Sequence, residues 1–176
     1  MFQNIRADLV AHRGDWSAQG FWAMVVYRFG RWRYTIVSPW IRKPFSLLYK
    51  FLYKFVQIIT GIELPCEAII GSGFVIDHFG GIVISGYASF GDNCRIRNGV
   101  VVGLQNAGQP CAPQIGNNVD IGAGAKVLGP ITIGNNVSIG ANAVVICSVP
   151  DNHIAVGIPA VIKPKRTCVK DNDNSF

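Results

Sequence analysis

Residues 115–144 read, in blocks of six, IGNNVD, IGAGAK, VLGPIT, IGNNVS and IGANAV, and each block opens on an aliphatic residue. The same beat continues outward. Val145 closes it, while Val102, Ile96 and Phe90 precede it after a gap of thirteen, and Ile82, Ile76, Ile70 and Leu64 after an offset of eight. All thirteen positions are aliphatic or Phe, and the residue that follows is Gly in seven of them. The pairs Asp92-Asn93, Asn117-Asn118 and Asn135-Asn136 recur just beyond, and Gly and Asn both tolerate the positive φ of a tight corner. The fifth position of the repeat is small or β-branched, as at Ala68, Val119, Ala125, Val137 and Ala143. Short flat strands joined by a corner every six residues describe a triangular prism. With three strands per coil, coils stack at the ~4.8 Å spacing of strands in a sheet. Extra residues in such a solenoid must leave a face. The first break adds two residues, placed by this frame around Ser85–Ala88, and the second adds seven around Leu104–Gln114, where Gly108, Pro110 and Pro113 mark a loop.

The segment before the prism has a different composition. The net charge of the 176 residues is +6, yet from Trp16 to Ile62 there is no Asp or Glu against seven Lys and Arg. Trp22, Tyr27, Trp32, Trp40, Phe51 and Phe55 are among the aromatics interleaved with them, a mixture that suits the headgroup level of an anionic membrane. Pro44 fits the first turn of a helix running to Thr60 and ended by Gly61. Ser46, Lys50, Lys54 and Gln57 form its one narrow polar stripe, so the rest of its surface must be buried in the protein, in a sister subunit or in a membrane. Large apolar residues separate the basic ones and no nucleic-acid motif is present, so no nucleic-acid partner is expected. The expected organisation is a helical segment over 1–61, a β prism over 62–163 and a polar tail over 164–176. A composition of 49% hydrophobic and 15% charged residues excludes a mainly disordered chain. No apolar run reaches the length of a spanning helix and the N-terminus lacks the layout of a secretory signal, so a cytoplasmic location is expected, with peripheral contact at the inner membrane face through residues 16–62.

Of three histidines, His153 falls in a turn after the last repeat and His12 in the N-terminal segment, and both read as structural. His78 follows Asp77, which stands where the repeat usually places Gly. Arg97, followed by Asn98, is the other charged residue at such a position. Breaks in a local rule mark candidate functional sites. Five cysteines without a CxxC pair, and a single histidine on the prism, give no reason to expect a metal.

The stretch Ile76-Asp77-His78-Phe79-Gly80-Gly81 resembles the Leu-Asp-His-Ala-Thr-Gly motif of the serine O-acetyltransferase family. The likeness runs from Gly61 to about Lys163 and includes Gly122-Ala123-Gly124-Ala125-Lys126 and Val156-Gly157-Ile158-Pro159-Ala160. It implies a mainly β, left-handed parallel β-helix of hexapeptide repeats, preceded here by a short α-helical segment. The hand comes from the resemblance, since right-handed crossovers are the general preference. It also implies acetyl-CoA as acyl donor, lying between subunits of a homotrimer, with pairing of trimers left open. His78 is then the general base, and Glu63, fifteen residues earlier where the family has Asp, the carboxylate that orients it. Asp77, Arg97 and Asn98 become candidate acceptor contacts, and Gly103, Leu104, Ala123, Gly124, Ala141 and Lys163 candidate donor contacts. Serine acetyltransferases carry Asp-Arg-His-Pro in the long loop, whereas this chain has Pro110, Cys111, Ala112 and Pro113, so the guanidinium for a serine carboxylate is missing there. The short N-terminus and this Cys-Pro-like loop resemble the exopolysaccharide branch of the family, which implies an acetyl acceptor that is a free or lipid-linked sugar. A serine acetyltransferase with a rearranged acceptor site is the alternative enzyme, and a silent prism serving as scaffold or membrane-docking module the alternative outside enzymes.

Overall fold

The computed structural model describes residues 2–106 and 111–165. Three helices come first, α1 (Phe2–Ala11), α2 (Gln19–Trp32) and α3 (Pro39–Thr60). Fifteen short strands follow and wind into a three-walled prism. Wall A stacks β1 (Ile62–Glu63), β4 (Ile82–Ile84), β7 (Val101–Gly103), β10 (Lys126–Leu128) and β13 (Val144–Val145). Wall B stacks β2 (Ile69–Ile70), β5 (Ser89–Phe90), β8 (Gln114–Ile115) and β11 (Thr132–Ile133). Wall C stacks β3 (Val75–Ile76), β6 (Arg95–Ile96), β9 (Asp120–Ile121), β12 (Ser138–Ile139) and β14 (His153–Val156), and β15 (Val161–Pro164) closes it antiparallel to β14. Every other pairing is parallel, as stacked coils require.

All thirteen repeat positions are buried, and so are the small fifth positions beside them, filling the prism with side chains. At the corner between walls B and C, Asn93, Asn118, Asn136 and Asn152 take φ near +57°. Beside them the Asp92 amide donates to Asn117 Oδ1, the Asn117 amide to Asn135 Oδ1 and the Asn135 amide to Asp151 Oδ1, each at 2.8 Å. The side chains therefore replace, coil by coil, the ladder that the turn interrupts.

The first register break lies elsewhere than the six-residue frame put it. Ile84, not Ile82, stacks under Val102, and Ile62 pairs with Ile82, so Leu64 falls in register with Ile84. The two extra residues thus sit between Ile76 and Ile84, at the corner from wall C to wall A, and the Ser85–Ala88 corner has regular length. Ile82 occupies a fifth position, paired with Ile62, and as a β-branched residue it satisfies the small-or-β-branched rule there as well. Both it and Ile84 point inward by the two-residue alternation of a strand, so the frame slips by two without meeting a polar residue. The second break is where expected, between β7 and β8, and its residues 107–110, including Pro110, lie outside the described residues.

The helices close the open edge of the first coil. Tyr27 Oη donates to Ala68 O at 2.8 Å and accepts from the Ile70 amide at 3.0 Å. Arg28 donates to the carbonyls of Ile70 and Gly71, and Tyr49 Oη accepts from the Cys66 amide. Asp8, fully buried, binds Arg28 and takes the Phe74 amide, and His12 Nε2 takes the Ile76 amide at 3.3 Å while Nδ1–H donates to Asp8 O. Each of these strand groups, left unpaired, costs about 1–3 kcal/mol, which accounts for buried polar residues in a helical cap. Helix α3 starts at Pro39, earlier than Pro44 predicted: Pro39 takes the first turn without loss, and Pro44 leaves only the Trp40 carbonyl without its intrahelical donor. Gly61 ends the helix in the left-handed conformation at φ 65°.

Candidate functional site

The C-to-A corner of the first coil is Asp77-His78-Phe79-Gly80-Gly81. Gly81 stacks beneath Gly99, and Gly99 beneath Gly124, with Cα approaches to a built Cβ of 3.6 and 3.3 Å. Gly80 O accepts from the Gly99 amide as Asn98 O accepts from the Gly124 amide, so Asp77, Gly80 and Gly81 match Arg97, Asn98 and Gly99 of the next coil, and His78-Phe79 is the insertion. Gly80 and Gly81 take φ of 100° and 65°, which lets the longer corner loop outward with His78 and Phe79 exposed. A built Cβ on Gly61 lies 3.3 Å from Gly80 Cα, so the C-terminus of α3 abuts this corner.

His78 and Asp77 face a cavity of about 440 Å³, lined also by Arg95, Arg97, His12, Arg13 and Asp15. Asp77 is bridged by two guanidiniums, Arg95 Nη1 on Oδ1 and Arg97 Nε 3.7 Å from Oδ2. Arg97 also binds Asp120 at 2.5 Å, and this hydrogen bond with the charges of Asp120 and Asp77 holds the guanidinium above its ordinary pKa. Arg95 carries no signal in the corner pattern, because it occupies an outward strand position. Only the register Val75↔Arg95 places it above the first coil and beside Asp77.

The corners above continue the edge. Gly99 N–H donates to Gly80 O, Gly124 N–H to Asn98 O and Asn142 N–H to Ala123 O, all at 2.8–2.9 Å. Asp77, His78, Asn98, Ala123, Gly124 and Ala141 thus share one edge of the prism, on which no corner residue above Arg97 is larger than Asn. Lys126 reaches back to Gly99 O at 2.5 Å along the same edge, another contact that the sequence pattern did not single out. Gly103 and Leu104 lie at the far side of wall A, next to the long loop, and Lys163 lies on β15, paired in register with Ile154. One chain does not bring these three to the His78 edge. Cys111, Ala112 and Pro113 sit on that far corner too, beside Tyr87 and Thr132.

Glu63 is half-buried on β1, beneath Val83 on wall A, and its Oε2 accepts from Gln57 Nε2 at 3.1 Å. Among the described residues no hydrogen bond joins it to His78. His153 opens β14 rather than ending in a turn, its Nδ1 2.7 Å from Asp151 O. Burial pushes the Cys94 thiol up to about 11, in keeping with a core position.

The family pattern described as Bacterial transferase hexapeptide (six repeats) matches residues 112–147. The putative colanic acid biosynthesis acetyltransferase WcaB of Escherichia coli strain K12 is 34% identical over 168 residues, covering 93% of this chain and 98% of its own length. The serine acetyltransferase of Mycobacterium tuberculosis is 44% identical over 128 residues, 72% of this chain. The chain belongs to the serine acetyltransferase family. It spans only 56% of that Mycobacterium relative and 55% of the one from Synechococcus elongatus, so the likeness to them covers about half their length. The structure of the Brucella abortus serine acetyltransferase in complex with coenzyme A superposes with a TM-score of 0.80 at 30% identity, over 95% of this chain and 69% of that one. As a family member the chain has the left-handed parallel β-helix with a helical N-terminal segment.

Proposed function

We propose that this protein is an acetyl-CoA-dependent O-acetyltransferase acting on a sugar hydroxyl of a polysaccharide precursor. The observation that carries the reading is the two-residue insertion, which lifts His78 out of a regular corner at the mouth of a polar cleft. In support, the colanic acid relative is matched over nearly its whole length, whereas the serine acetyltransferases extend beyond the match.

His78 takes the proton from the acceptor hydroxyl, whose oxygen forms the new ester bond as the C–S bond of the thioester breaks. The proton returns to the departing thiolate, and no covalent enzyme intermediate forms. Acetyl-CoA, when bound, supplies the activated acyl carbonyl. The edge of Asn98, Ala123, Gly124 and Ala141 suits a long donor held by backbone groups, since nothing there blocks close approach. In a homotrimer the far side of wall A, with Gly103 and Leu104, supplies the opposite lip of the groove from a neighbouring chain, and amides near Gly103 stabilise the developing oxyanion. Lys163, at the upper end, is placed to meet donor phosphates. Asp77, Arg97 and Asn98 offer donors and acceptors to a multi-hydroxyl acceptor. Glu63 orients His78 once it exchanges Gln57 for the imidazole.

Serine as acceptor is favoured by one observation, the two guanidiniums beside His78. Both are already bound to Asp77 or Asp120, so a substrate carboxylate would have to displace an existing ion pair. CoA release from acetyl-CoA, measured with free serine and with a panel of sugars and sugar nucleotides, tests the reading. Turnover with a sugar that is lost in His78→Ala is expected. Serine turnover lost in the same variant overturns the choice of acceptor, and turnover untouched by the substitution overturns the base.

A further inference from the structure

Helix α3 packs on the prism and on α2 through Tyr49, Leu52, Tyr53 and Val56. Its opposite face is bare. Trp40, Ile41, Leu47, Phe51, Phe55 and Ile58 are 53–80% exposed and run along one side of the 22-residue helix, about 33 Å at 1.5 Å per residue. Such a stripe is far larger than scattered surface apolars require.

Two further observations say what covers it. At 3.6 residues per turn, Lys43, Lys50 and Lys54 fall in one row along a single edge of the stripe, and no acidic residue occurs anywhere from 16 to 62. Along the other edge the stripe runs into a groove of about 410 Å³ between α2 and α3, lined by Trp22, Val25, Leu52, Phe55, Val56 and Ile59. A second copy meeting this face through a two-fold axis would set the lysine rows against each other with no carboxylate to pair them. We propose that the outer face of α3 is a docking surface for an anionic lipid bilayer. The apolar stripe enters the acyl boundary, the lysines stay at the phosphates, and the α2–α3 groove takes up acyl chain. No helix of the described residues is long and apolar enough to cross a membrane, so the contact lies in the interface plane. Because α3 ends against Gly80, docking brings the His78 corner close to the headgroup level. If the proposed sugar acceptor is lipid-linked, as that reading allows, the face sets the acceptor beside the base.

Co-sedimentation of the full chain with vesicles of phosphatidylcholine alone, or with about 30% phosphatidylglycerol, tests the docking independently of any turnover. Binding to the anionic vesicles alone at low salt is expected, with a loss on the order of 100-fold when Lys43, Lys50 and Lys54 are changed to Gln, from roughly fivefold per lysine. Phe51→Asp should abolish binding while circular dichroism and the solution mass stay unchanged. Equal or absent binding to both vesicle types at low salt overturns the proposal. So does a Phe51→Asp variant that is folded but changes oligomeric mass, which makes the face a subunit interface. Loss of vesicle binding with intact sugar turnover, or the reverse, separates this surface from the catalytic reading.

Discussion

Two corner edges of the same prism are built to the same six-residue rule and treat it differently. On the B-to-C edge, Asp92, Asn117, Asn135 and Asp151 stack without interruption, and each side chain serves the backbone of the coil below it. On the C-to-A edge the upper coils are equally regular, but the first carries His78 and Phe79 in addition, and its polar side chains are turned to a cleft instead of to the ladder. The first edge spends its polar groups on cohesion and the second keeps them for a ligand. A repeat fold can host a site where it departs from its own period, because the neighbouring coils fix everything except the departure.

The sharpest way to break this contrast is His78→Ala. Turnover should fall about 10²–10⁴-fold, the range of a lost general base, with the melting temperature unchanged. Unaltered turnover would remove His78 from the chemistry. Deleting Phe79 and Gly80 together removes the added length while keeping the imidazole. The shortened corner, Asp77-His78-Gly81, has the length of Arg97-Asn98-Gly99, so the variant should fold yet lose on the order of 100-fold in rate through displacement of the imidazole. Loss of folding would show that the longer corner is needed for the prism. On the other edge, Asn117→Ala removes the acceptor of the Asp92 amide and the donor to Asn135, and should lower stability by about 1 kcal/mol, read by denaturant unfolding, with turnover within about twofold. The smallest effect is on acid stability. Hydrogen bonds from the backbone and side chain of Asn135 lower the Asp151 pKa below 3.8, so its contribution is complete above that value and is lost as pH falls through the lower, folded one. Melting profiles recorded downward from about pH 5 should therefore slope less in Asp151→Asn than in the parent.

The regular edge was legible residue by residue, since Gly and the Asx pairs state the corner conformation locally. The irregular one was legible only in part. Asp77 showed itself by standing in a glycine position and His78 by following it, but Ile82, β-branched and apolar at a fifth position, also passed for a first position and let the frame slide, and the two extra residues were assigned to the following corner. Arg95 and Lys126 were missed for another reason. Their partners, Asp77 and Gly99 O, lie 18 and 27 residues away, and only coil register makes them neighbours. The same holds for the cap, where Asp8 and His12 read as ordinary helix residues until the first-coil amides of Phe74 and Ile76 are seen to need them.

By itself the sequence determined the prism, its corners, the long loop and the apolar, basic character of α3, because period, turn chemistry and charge are properties of neighbouring residues. Tertiary structure alone decided which coil carries the insertion, which guanidiniums surround Asp77, and that Glu63 is held by Gln57 instead of by His78. Those depend on the offset between successive coils, which is set by packing of inward side chains across the prism, and a two-residue slip in that packing leaves every local rule satisfied.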